Sequence, residues 1–226
     1  MTEITHATAL NKGQLKRLLT ITRATSRYWQ RDMLVLHLGH DADLRITETS
    51  RITVADVMYR DGKLRLEMSL RAAVTKGSKQ RCAYLSSKPL IAAPQTYIAY
   101  RLEHGIGTEL NGAAYRGLLP QLPLIYSSRG AGMSQNTKRC TLIDGERRDY
   151  KACDSLQSHV TLLYARAGIV LGSSRSGRRS FAGHILRETG SMDTVALLLG
   201  HDEIDVSGRY IDLDHDILRA IFKSAV

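Results

Sequence analysis

Four short stretches carry side chains suited to work on a phosphate ester. Arg45 and Glu48 stand three apart in Leu44-Arg45-Ile46-Thr47-Glu48 at the end of a helical run. Arg175, Arg178 and Arg179 fall within Ser173-Ser174-Arg175-Ser176-Gly177-Arg178-Arg179-Ser180-Phe181-Ala182, where a loop enters a helix. Lys76 and Lys79 bound a polar turn, Lys76-Gly77-Ser78-Lys79, and His201 follows Leu198-Leu199-Gly200, with Tyr210 nine residues further on. Guanidinium forks grip anionic oxygens in pairs, and a helix N-terminus favours phosphate through its free amides and dipole. Lysine and histidine donate to oxyanions, and a phenol forms an ester. Each stretch also has a plain reading. Arg45 with Glu48 is a solvated ion pair worth under about 1 kcal/mol. A turn lysine is solvated, the arginine cluster is a surface that holds DNA backbone without acting on it, and a histidine after a helix-ending glycine is a cap.

These stretches need a frame. Leu15, Leu18 and Leu19, then Met33, Leu34, Leu36 and Leu38, recur at helical spacing behind the candidate N-caps Asn11 and Thr25 or Ser26, which predicts two helices before residue 40. From Ile52 the chain turns β-branched and alternating. A strand over Val54 to Arg60, the turn Asp61-Gly62, a strand through Leu64, Leu66, Met68 and Leu70, and a third run from Arg81 to Leu85 predict a small three-stranded antiparallel sheet with the Lys76 turn at one end. After Pro89 a helix runs to Gly105, and most of the remainder is expected to be helical, with apolar faces over residues 156 to 166 and 180 to 188, Val195 to Leu199 before Gly200, and an amphipathic C-terminal helix from Leu213 to Phe222. The polar stretch from Cys140 to Asp154 reads as a loop or hairpin insertion. The fold class is α+β, mainly helical, in one domain over residues 1–226.

Composition narrows the partners. Lys and Arg number 32 against 22 Asp and Glu, a surplus of +10 that suits a polyanion, while a 43% hydrophobic content excludes bulk disorder. The sequence contains neither a membrane-length apolar run nor a signal-peptide pattern, so a cytoplasmic protein without membrane partners is expected. Cys82, Cys140 and Cys153 lack metal-ligand spacing and read as reduced bystanders.

Taken in order, the four stretches resemble the catalytic domain of the tyrosine recombinase (phage integrase) family over nearly the whole chain. That family runs through an arginine in a Gly-x-Arg-x-x-Glu-like segment, a hairpin lysine, His-x-x-Arg, Leu-Gly-His and a tyrosine. The matching positions are Arg45 with Glu48, Lys76, Arg178, His201 and Tyr210, with Asp56, Ala165-Arg166-Ala167-Gly168-Ile169 and Gly190 in support. Asp43 stands where the family usually has glycine, and Arg175 where it has histidine or lysine. The 141–154 insertion is longer than usual, and the resemblance starts at the catalytic domain, so the family's N-terminal core-binding domain is expected to be absent, as in the fimbrial invertases or in a fragment.

The resemblance implies a fold, a helical bundle with a small sheet, and an activity: site-specific cleavage and rejoining of double-stranded DNA through a 3′-phosphotyrosyl intermediate, without metal, ATP or other cofactor. Tyr210 is then the nucleophile, Arg45 and Arg178 neutralise the non-bridging oxygens, His201 adds a hydrogen bond, and Lys76 protonates the departing 5′-oxygen. Glu48 orients a neighbour, and Arg175, unable to act as a base, stabilises charge. Arg175, Arg179 and Lys79 are the expected DNA contacts. The implied assembly is a homo-tetrameric synapse on two duplexes, with residues 213–226 exchanged between protomers or packed on their own domain, and with an accessory DNA-binding factor in support. Three other readings remain: a non-catalytic helix-turn-helix regulator using residues 194–210, a topoisomerase or telomere resolvase of the same chemistry, and a degenerate recombinase that only binds DNA.

Overall fold

The structure, a computed structural model, describes residues 7–75, 80–109, 112–141 and 147–200. Helix α1 (Lys12–Thr25) starts where expected, because the Asn11 side chain accepts from the Gln14 amide and the Gln14 side chain returns to the Asn11 amide. Helix α2 (Trp29–His40) begins after Tyr28 rather than at Thr25 or Ser26. The hydroxyl of Ser26 is instead engaged by Asp32, 2.5 Å away. Helices α1 and α2 pack against each other and against α6 (Asp154–Arg166) and α5 (Lys88–Glu103). Leu18, Leu34, Leu38, Tyr97, Ile98, Leu163 and Tyr164 are buried between them. Each such fully buried leucine contributes roughly 1.5–3 kcal/mol of transfer free energy.

Two short helical turns, α3 (Ile46–Arg51) and α4 (Val54–Val57), lead into a two-stranded antiparallel sheet, β1 (Glu67–Leu70) with β2 (Arg81–Tyr84). The expected strand over Val54 to Arg60 is therefore a helical turn that contributes only an isolated bridge, Met58 to Leu64. Asp56 decides this locally: its carboxylate accepts from the amide and hydroxyl of Thr53 at 2.8 and 2.9 Å, which starts a helix. Val54, Val57 and Met58, all buried, fit the helical i, i+3, i+4 spacing as well as a strand.

The region expected to be mostly helical after Gly105 is instead irregular over 106–109 and 112–135 apart from a 3-10 turn, Ala114–Gly117. It is pinned by the fully buried guanidinium of Arg101, which donates to the carbonyls of Ile106, Pro123 and Leu124. The polar stretch is a second antiparallel hairpin, β3 (Asn136–Thr141) with β4 (Arg147–Ala152), starting before the expected insertion. Among the described residues there are thus two two-stranded sheets rather than one of three strands, within the expected mainly helical α+β class.

Helices α7 (Ser176–Thr189) and α8 (Met192–Leu199) form a smaller apolar cluster of their own through Ala182, Leu186, Val195 and Leu199. α7 reaches the main body through Gly177. A Cβ there would lie 2.7 Å from the Gly39 carbonyl carbon and 3.1 Å from the His40 amide nitrogen, so only glycine lets the start of α7 press against the end of α2. Among the described residues, no helix is long and apolar enough to cross a membrane.

Candidate nucleic-acid site

The approach of α7 to α2 places Arg178 over the loop between α2 and α3. Its Nη1 donates to the Asp43 carbonyl at 2.7 Å and to Asp43 Oδ2 at 2.8 Å, and its Nη2 donates to the Leu199 carbonyl at 3.0 Å. Arg45, just before α3, meets the same carbonyl from another side with Nη2 at 3.5 Å. Two guanidinium groups far apart in sequence therefore converge at the C-terminal end of α8. There Gly200 takes a left-handed conformation (φ 62°), and the last carbonyls, left without intrahelical partners, attract cations.

Glu48 is buried beneath this pair. One carboxylate oxygen accepts from the Arg45 guanidinium at 2.9 Å and the other from the Arg45 amide at 2.8 Å. The same carboxylate takes the Arg81 guanidinium at 2.5 Å. Burial pushes the Glu48 carboxyl up, but the charge and hydrogen bond of Arg81 and then Arg45 outweigh it and hold the carboxyl below its ordinary value. Arg81 is the residue that motif reading missed. It shares the inward face of β2 with buried Ala83, and an arginine on the inward phase of an alternating strand was the available signal. Its guanidinium also reaches the Asp43 carbonyl at 2.8 Å.

Among the described residues, the cluster sets three guanidinium groups, Arg45, Arg81 and Arg178, against two carboxylates, Asp43 and Glu48. Among these five side chains the guanidinium groups outnumber the carboxylates by one, and Arg45 and Arg178 meet at the level of Leu199, two positions before His201. Arg45 keeps 22% of its side chain exposed while Arg178 keeps 3%, so Arg45 is the open arm and Arg178 the recessed one. Guanidinium groups placed in this way are chemically suited to hold an oxyanion by charge-assisted hydrogen bonds.

The other predicted positions separate. Arg175 directly precedes α7 and is exposed, with its amide donating to the Ser173 hydroxyl at 3.3 Å. A cation at a helix N-terminus opposes the helix dipole, an arrangement that an incoming anion relieves. Arg179, on the first turn of α7, is 5% exposed. Lys76, Lys79, His201 and Tyr210 lie outside the described residues, as do residues 142–146 and the C-terminal stretch from Leu213. Cys82, exposed, and Cys153, buried, are free thiols.

Residues 8–216 match the model of the Phage integrase family. The chain belongs to that family. Among curated members of this integrase family, it is 25% identical to the tyrosine recombinase XerD of Yersinia pestis over 220 residues, covering 94% of the chain and 60% of that protein. It is 22% identical to the tyrosine recombinase XerC of Pelobacter propionicus, covering 96% of the chain and 59% of that protein. The chain thus spans about three-fifths of the length of these relatives. Among solved structures, the integrase fold matches that of a XerA recombinase with a TM-score of 0.66 at 17% identity, covering 98% of this chain and 66% of the other. It also matches the Tn1549 transposon integrase in complex with transposon right end DNA, with a TM-score of 0.59 at 14% identity, covering 99% and 68%.

Proposed function

We propose that this chain is the catalytic domain of a tyrosine-type site-specific DNA recombinase that acts on double-stranded DNA in the cytoplasm. The observation that carries the reading is the meeting of Arg45 and Arg178 on one carbonyl oxygen two residues before His201, in a cluster of five side chains whose guanidinium groups outnumber the carboxylates by one. A phosphodiester repels nucleophiles, and its transition state gathers charge on the non-bridging oxygens. Two converging guanidinium groups offset that charge, and family membership supplies the ordered positions for the rest.

In this reading Tyr210 attacks the phosphorus, gives its phenolic proton to water and becomes a 3′-phosphotyrosyl ester, while the 5′-oxygen leaves with a proton from Lys76. The ester stores the energy of the broken bond, so a second DNA end is joined by the reverse step. Arg45 and Arg178 bind the phosphate together with His201. Glu48 acts as a positioning residue that holds Arg45 and Arg81, and exposed Arg175 contacts the DNA backbone and stabilises charge. Strand exchange between two duplexes requires a tetramer, and the basic surplus makes binding steeply salt-dependent.

The test is covalent capture. The protein is incubated with a labelled pool of nicked duplexes of randomised sequence and denatured in SDS. A protein–DNA adduct forms with the wild-type chain and is absent with Tyr210→Phe. DNA binding with no adduct from the wild-type chain would instead establish the regulator or degenerate recombinase, and an adduct that survives Tyr210→Phe would move the nucleophile elsewhere.

A further inference from the structure

Asp43 is the unusual member of the arginine cluster. It is 2% exposed and takes a left-handed backbone conformation (φ 57°), which few side chains adopt without cost. From that position Oδ2 receives Arg178 at 2.8 Å and lies 3.5 Å from Arg81. Oδ1, equally buried, has no hydrogen-bond partner among the described residues. Asp43 therefore occupies one nitrogen of the guanidinium that the reading above assigns to DNA phosphate, and it leaves an oxygen open to a proton.

We propose that Asp43 is the internal counter-anion of Arg178, standing in for the phosphate while DNA is absent and taking up one proton from solvent when phosphate binds. This inference rests on the recombinase reading. The charge balance is conserved in the exchange. Before binding, three guanidinium groups face two carboxylates; afterwards they face the Glu48 carboxylate and the phosphate, with Asp43 neutral. Two anions on one buried guanidinium would repel, and protonation of Oδ1 relieves that repulsion without breaking the fold around the loop.

The surroundings favour this exchange. Burial drives the Asp43 carboxyl up to about 6, beyond the opposing pull of Arg178, Arg81 and Arg45, and Glu48 adds to the rise. Arg178 is pushed below its ordinary value first by the same burial. Among the described residues, the charged groups that act on Asp43 are Arg178 from α7, Arg81 from β2, and Arg45 and Glu48 at the start of α3. At the end of α2, His40 is turned to the Tyr164 hydroxyl and Asp41 to His37.

The experiment measures binding of a short fluorescein-labelled duplex to the full chain at constant ionic strength, from about pH 8 to about pH 5.5. Wild type is compared with Asp43→Asn, which keeps shape and tolerates the left-handed backbone, and with Asp43→Gly, which relieves it. Both variants bind at least about tenfold more tightly than wild type at pH 8, and the difference closes as pH falls through about 6, because only wild type must take up the proton. Circular dichroism confirms that each variant is folded, and the carboxyl carbon of labelled Asp43 shifts to its protonated position on adding the duplex. Equal affinities and equal pH slopes for wild type and both variants would overturn the inference while leaving the recombinase reading intact. Failure of wild type to bind DNA at any pH would overturn that reading and this inference with it.

Discussion

Two buried charge networks in this molecule contain the same residue types and reach opposite states. In the first, at the start of α2, Asp32 is fully buried and both its oxygens are taken. Arg31 donates to Oδ1 at 2.9 Å, while the Ser26 hydroxyl at 2.5 Å and His159 at 2.9 Å meet Oδ2. Arg31 spends a further donor on the Tyr126 carbonyl. Burial alone would raise the Asp32 carboxyl, but the His159 hydrogen bond, the Arg31 and His159 charges and the Ser26 hydrogen bond together hold it below its ordinary value. In the second network Asp43 lacks a partner for one oxygen, and burial wins. The saturated network fastens α2 to α6; in the other, among the described residues, one carboxylate oxygen has no partner and three guanidinium groups face two carboxylates, which is why the proposed function places the phosphate there. Buried charge by itself therefore says nothing about function, whereas the count of unmet partners does.

Three measurements test whether the two networks differ in this way. Asp32→Ala leaves Arg31 uncompensated in the interior and is expected to cost about 3–5 kcal/mol of unfolding free energy by urea titration. The adduct yield per folded molecule should hardly change. A fall in yield larger than the loss of folded protein would place the Asp32 network in the reaction. Arg45→Ala should do the reverse. It lowers the rate of adduct formation by about 100-fold or more, near 2.7 kcal/mol, with the stability largely kept because Arg81 still holds Glu48. If activity survives Arg45→Ala, the cluster is a structural network like the first.

The smallest effect is in the pH dependence of stability. The folded-state value of Asp43 is raised from 3.8 to about 6, so its contribution is greatest below about pH 4 and is lost as pH rises through about 6. Asp43→Asn removes that loss and should gain on the order of 2 kcal/mol over wild type at pH 7, with the gap closing near pH 4. Asp32, shifted the other way, stabilises above its unfolded value and loses that contribution as pH falls through its lower folded value. Thermal melts of the two single variants across this range read the opposite signs directly. Parallel curves would erase the distinction between the networks.

The helices around the site were legible because their signals are local. Asn11 at the start of α1 and Gly200 after Leu199 begin and end helices through contacts within one turn, whereas Ser87, which caps α5 ahead of Pro89, was overlooked. The strand expected from Val54 was misplaced for a related reason: apolar spacing there fits both periods, and the Thr53–Asp56 hydrogen bonds decide between them. The irregular stretch over 106–109 and 112–135 gave no such cue, since the buried Arg101 that orders it bonds to carbonyls, which every residue has. Arg45, Glu48 and Arg178 were legible from their spacing and order, and Arg81 was overlooked because its partners lie on other elements.

The sequence by itself determined the helical frame, the basic surplus and the ordered set of residues that marks the family, because capping, periodicity and motif order are properties of neighbours along the chain. Only the tertiary structure decided which charges meet. The close crossing of α7 on α2 at Gly177 brings Arg178 to Asp43, and the inward face of β2 brings Arg81 to Glu48. Whether a buried carboxylate is saturated or left open depends on atoms that arrive from distant segments, and no local pattern encodes that count.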